Sequence, residues 1–156
     1  PTEFGDFRLY AYQDRNDDNV HLALVMGDLA GDEPVLVRVH ARNSSDDLLF
    51  SKRTDCALPV REAMRRIAEE GRGVLVLIRQ KENNKALVEL IHAYQLEDLG
   101  VKPHTDTDHD WRTTGTGSRI LVDLGVHKMK VMGAQKKYFG LSGFDLEVVE
   151  HIETAF

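Results

Sequence analysis

Residues Gly73 to Arg79 read GVLVLIR, an apolar run with no polar residue until its closing arginine. A strand with one wet face alternates apolar and polar residues. A run without alternation suits a strand covered on both faces, as in a parallel sheet flanked by helices. The stretch before it, Ala57 to Glu70, repeats Val60, Ala63, Met64, Ile67 and Ala68 at helical spacing. Asp55 is its candidate cap, Pro59 falls in its predicted first turn, and Gly71 supplies the stop. A helix followed at once by a doubly buried strand constrains this chain to an α/β arrangement.

The rest of the pattern fits around that unit. Strands are predicted at Phe7–Tyr12, Val20–Leu29 and Pro34–Ala41, the first two joined by the polar turn RNDDN. In the third, Val35, Val37 and Val39 share one face, while Leu36, Arg38 and His40 share the other. The first 50 residues thus read as antiparallel strands, and strands alternate with helices thereafter. A second helix is predicted over Lys85–Leu99, with Leu87, Leu90, Ile91 and Tyr94 as its apolar stripe and Gly100 as stop. A short third helix follows at Ser118–Leu124, then a strand at Lys128–Met132 and a last strand, FDLEVVEHI. The polar stretch Val101–Thr116 reads as a long loop. The fold class is α/β, with a mixed sheet, antiparallel N-terminal strands and flanking helices.

Composition narrows the function classes. The 156 residues suit one domain, and 42% hydrophobic content is enough for a packed core. No apolar run approaches the ~20 residues that span a bilayer. No secretory leader is evident, and Pro1 in place of Met leads us to expect excision from a longer chain. One Cys rules out an internal disulfide and fits the cytoplasm. A net charge of −6 argues against general nucleic-acid binding, which needs a basic face.

Several motifs carry a specific resemblance. PTEFGDF opens the chain, HLALVMGDLAG follows, then RVH at Arg38–His40, LFS at Leu49–Ser51 and IAEEGRG at Ile67–Gly73. In this order and spacing the chain resembles the GTP cyclohydrolase II family of riboflavin synthesis, over nearly its whole length. The resemblance implies that fold for residues 1–156 as one domain. It also implies cofactors, zinc and magnesium, a homodimer, and in many bacteria fusion to 3,4-dihydroxy-2-butanone 4-phosphate synthase.

The resemblance implies a site as well, and marks where this chain departs from it. The family's zinc thiolates fall on Asn43, Thr54 and Cys56, so two of the three are lost. Asn and Thr offer neutral oxygens, which do not replace thiolate for zinc. No metal and no cofactor are expected. The family's glycine-rich phosphate turn falls on Lys81 to Ala86, where every glycine is gone. Its catalytic Asp-x-Arg unit falls on Asp110 and Arg112, and its nucleotide contacts on Arg38, His40, Tyr94 and Lys136. From the residues alone, Asp110 and Arg112 form an ordinary ion pair, Arg38 and His40 solvate a strand face, and Tyr94 packs into the core. His104, Asp106, Asp108 and His109 are a weak metal pattern. TTGTGS, residues 113–118, is either an anion-binding turn or a helix cap. Two functions follow. The first is a degenerate domain, inactive on GTP, with a structural or regulatory role for a fused synthase. The second is an altered hydrolase that still binds a nucleotide or phosphate ligand.

Overall fold

A computed structural model of the chain describes residues 1–41, 47–52, 58–79, 82–101, 107–133 and 141–153; for 107–113 and 141–142 it describes the backbone. Six strands form one sheet: β1 (Arg8–Gln13), β2 (Val20–Met26), β3 (Val35–His40), β4 (Gly73–Leu77), β5 (Lys128–Met132) and β6 (Glu147–Ile152). Three helices are described: α1 (Val60–Glu70), α2 (Asn84–Asp98) and α3 (Thr107–Asp123). The strand order is β1-β2-β4-β3-β5-β6. β1, β2 and β4 pair antiparallel, whereas β4, β3, β5 and β6 run parallel. The mixed sheet is as expected. β3 nevertheless belongs to the parallel half, because β4 inserts between it and β2.

The doubly covered strand is β4. Val74, Leu75 and Val76 are each 0% exposed. Val74 and Val76 join Ala23, Val25, Val35 and Val37 under Ile120 and Leu121 of α3. Leu75 and Leu36 join Ala63 and Ile67 of α1 on the opposite face, with Leu58 and Met132. The period of two therefore sorts one strand into two cores. Each such side chain contributes up to about 1.5–3 kcal/mol by leaving water.

The GRG motif is the joint of this layer. Gly71 takes φ 77 at the end of α1 and donates its N–H to Ile67 O at 2.8 Å, an αL stop. Arg72 spreads its guanidinium over the β2–β3 loop, donating to the carbonyls of Asp28 (2.6 Å), Glu33 (3.2 Å), Pro34 (3.3 Å) and Leu29 (3.4 Å). A Cβ on Gly73 would stand 2.8 Å from Leu36 O and 2.9 Å from Ile67 Cγ1, so only glycine lets β4 sit this close to β3 and α1. Gly27, φ 78, backs onto the same joint, since its Cβ would lie 2.6 Å from Gly71 O. That is why β2 ends at Met26 rather than running on to Leu29.

Four other expectations are corrected. α1 starts at Val60, with Pro59 outside it as N-cap in an extended conformation (ψ 147), rather than in its first turn. Residues 53–57, where an earlier start was expected, lie outside the described residues. α3 starts at Thr107, so most of the predicted loop is helix and TTGTGS lies inside it rather than at a turn or cap. Two contacts outweigh the low helix propensity of its glycines. Ser118 Oγ donates to Thr114 O at 2.7 Å, and the Cα of Gly117 packs on Val39, where a Cβ would come to 3.2 Å of Cγ1. Gly115 meets nothing within 4 Å, and nothing in its surroundings explains it. The last strand begins at Glu147, because Asp145 adopts φ 59 after a 3-10 turn at Leu141–Phe144.

The fourth correction concerns α2. Its limits match the expectation, but its stripe is not core: no residue of the helix is buried. Leu87, Val88, Ile91 and Leu96 are between 42% and 52% exposed, and Leu90 and Tyr94 are only half-buried. Its apolar residues are spread round the helix, so any face turned to the body leaves others uncovered.

Candidate functional site

The parallel strands set the place. From β3 the chain passes through α1 to β4 on one side of β3; through α2 and α3 it returns to β5 on the other. Open α/β sheets form their ligand crevice at the C-terminal ends of strands where connections diverge in this way. Arg38 and His40 stand at that end of β3, on the face of Leu36, as alternation predicts.

Arg38 is half-buried, and it points to backbone. Nη1 donates to Met132 O at 3.2 Å and Nη2 to Leu58 O at 3.3 Å. A Cβ on Gly133 would overlap Nη1. His40 is 2% exposed, and its Nε2 lies 2.9 Å from both carboxylate oxygens of Asp47. The pair fastens β3 to the far side of segment 42–46. Neither residue solvates a strand face, so that expectation fails. Asp47 was not anticipated; a carboxylate pair, Asp46–Asp47, shortly after a strand-end histidine was the available signal.

His21 is a second buried histidine, 5% exposed, and its Nδ1 accepts the Arg79 N–H at 3.0 Å. Burial pushes its pKa below the ordinary value, against the pull of Asp17 and Asp14. It is a structural cap on the backbone leaving β4. At the start of α2, Asn83 Oδ1 accepts the Ala86 N–H at 2.8 Å. One of the amides a helix N-terminus offers to an anion is thus taken by the chain's own side chain.

The other predicted site residues are placed only in part. Asp110 and Arg112 lie on the backbone of α3, in helix rather than loop, about two turns and about one and a half turns before Gly117. Their side chains, and Lys136, lie outside the described residues, as do Asn43, Thr54, Cys56, His104 and Asp106. Tyr94 sits half-buried on α2, outside both core clusters. The structure brings together Arg38, His40 and Asp47, with Leu58, Met132 and Gly133 around them. The donor set for zinc does not fit: one thiolate and two neutral side chains lack the charge and softness of a structural or catalytic site.

The GTP cyclohydrolase II profile matches residues 1–153, and the chain belongs to the GTP cyclohydrolase II family. Within it, the chain is 42% identical over 158 aligned positions to the riboflavin biosynthesis protein RibBA of Chlorobium phaeovibrioides, covering 97% of this chain and 38% of that one. It is 41% identical over 153 positions to a 3,4-dihydroxy-2-butanone 4-phosphate synthase of Pseudomonas syringae pv. tomato, covering 97% and 41%. Among solved structures it matches RibBX, a two-domain 3,4-dihydroxy-2-butanone 4-phosphate synthase from A. baumannii. The TM-score is 0.61 and the identity 34%, over 99% of this chain and 38% of that one. The chain therefore spans about two fifths of the length of these relatives. It is a GTP cyclohydrolase II-like domain, with the α/β fold expected from its motifs.

Proposed function

We propose that this domain, residues 1–156, has lost ring-opening activity on GTP, holds no zinc, and serves a structural or regulatory role for a fused 3,4-dihydroxy-2-butanone 4-phosphate synthase in the cytoplasm. One observation carries the reading. At the start of α2, where the family's glycines open backbone amides to phosphate, Asn83 closes an amide on itself. The replaced thiolate positions Asn43 and Thr54 point the same way. The relatives named for the synthase support the fusion. The alternative is a hydrolase acting on GTP or another phosphorylated substrate through Asp110 and Arg112. The retained Asp-x-Arg pattern favours it.

Zinc content and formate release from GTP by the purified chain decide between the two. The first reading expects neither; stoichiometric zinc or formate release rejects it. The double variant N43C/T54C then tests whether the ligand geometry survives: zinc uptake says that it does.

We also propose that the domain pairs with a second copy through α2. The helix leaves Leu87, Val88, Ile91 and Leu96 exposed among its polar residues, and its charges run against its own dipole. Lys85 lies in the first turn, while Glu97 and Asp98 lie in the last. A copy running antiparallel would set the Lys85 end of one helix beside the acidic end of the other.

A further inference from the structure

We infer that Arg38 is an internal bar across the crevice between β3 and β5, that Gly133 is the residue that admits it, and that Arg38 thereby serves the frame of the sheet rather than an anionic ligand. The inference deepens the reading above and rests on it for the absence of a nucleotide.

β3 and β5 pair from Val35–Met129 to Val37–Val131, and there the ladder stops. On its other side β3 stays paired with β4 as far as His40–Leu77. The strands thus part on one side only, at the point where the connections diverge. A carbonyl facing such a gap has lost its ladder partner and needs another. Arg38 supplies it: Nη1 reaches across to Met132 O, and Nη2 reaches Leu58 O at the entry to α1. One guanidinium ties three segments.

Gly133 makes this possible. Its φ of 125 is one that L-residues rarely adopt, and a Cβ there would occupy the place of Nη1. Its N–H donates to Ile152 O at 3.1 Å, which holds its backbone to β6 while the guanidinium lies against its Cα. The two frame bonds take one N–H each of Nη1 and Nη2 and fix both ends of the guanidinium, so Arg38 cannot swing toward a phosphate without breaking them. The arginine that sequence places at the ligand is spent on the frame.

Thermal unfolding of R38M, G133A and the double variant tests this. R38M is expected to lower the midpoint by about 4–8 °C, from two charge-assisted bonds in a chain of this size. G133A is expected to cost less than half as much in the R38M background as in the unaltered chain, since the overlap is gone and only backbone strain remains. An equal G133A loss in both backgrounds overturns the inference, as does an R38M midpoint equal to that of the unaltered chain. Should either variant fail to fold, the unaltered 15N-labelled chain decides, with R38K used to assign the signals. The Arg38 guanidinium N–H resonances are expected to exchange slowly and to stay in place under millimolar inorganic pyrophosphate. Resonances that move with pyrophosphate mark Arg38 as a ligand residue. Formate release would refute the proposed loss of activity without touching the unfolding cycle, so the two failures are distinguishable.

Discussion

Gly73→Ala is the sharpest single test of how this fold is joined. The new methyl carbon would stand 2.8 Å from Leu36 O and 2.9 and 3.0 Å from the two γ-carbons of Ile67. The first contact is with backbone, which cannot rotate away. β4 has to move off β3 and α1 by several tenths of an ångström, in a region where Val74, Leu75 and Val76 are wholly buried. Overpacking of this kind costs about 1–3 kcal/mol. Replacing Gly by Ala where φ is ordinary returns about 0.4–1 kcal/mol through the unfolded state. The net expectation is a loss of about 1–2 kcal/mol, or about 3–8 °C in unfolding midpoint for a chain of this length. Neighbouring Gly71 is the control. It has φ 77 and nothing within 4 Å, so its constraint is conformational alone. Asn tolerates that region. G71N is therefore expected to remain near the unaltered midpoint, and G73N to fall below G73A. Differential scanning fluorimetry checks all three variants. A G73A chain as stable as the original would refute the steric reasoning, and equal losses for G71N and G73N would show that shape and backbone angle had been confused.

Arg72→Met keeps the aliphatic stem and removes four carbonyl contacts, so the β2–β3 loop should loosen at a cost of about 2–4 kcal/mol. Limited proteolysis near Asp28–Pro34 reads this directly, and unchanged cleavage argues against a clamp. His21 has its pKa held below the ordinary 6.5 by burial, so protonation favours the unfolded chain. Its contribution is complete above that value and is lost as pH falls beneath it. Urea midpoints are expected to drop from pH 7 to pH 5, less steeply in H21N; an identical slope would clear His21 of the effect. Ile91→Glu places a charge in the middle of the exposed face of α2, 49% accessible at that residue. Sedimentation velocity is expected to show the variant as monomer and the unaltered chain as dimer, with the same unfolding midpoint for the dissociated form. A dimer that survives I91E rules out that contact.

Much of the fold was legible because its signals are local. The unbroken apolar run made β4 a covered strand, and alternation in β3 separated Val37 from Arg38. What failed was decided by contacts far apart in sequence. TTGTGS has turn chemistry, yet Gly117 earns its place in a helix by packing on Val39, seventy-eight residues earlier. The stripe of α2 has the period of a core helix, but period says nothing about whether a neighbour exists to cover it. The site divides the same way. Strand alternation placed Arg38 and His40 side by side, whereas their orientation toward Met132 O, Leu58 O and Asp47 depended on segments no local pattern connects.

The meeting of Gly27 with Gly71 and Arg72 has a consequence for how such chains diverge. Two tight turns, forty-odd positions apart, meet so closely that a methyl group on Gly27 would displace the second turn at Gly71 O, while Gly71 is held to its residue type by a φ of 77. Selection for a soluble, folded chain is enough to preserve both, whether or not any reaction is under selection. Conserved letters at this joint are therefore a record of architecture, and a lineage can keep them unchanged after its chemistry has gone.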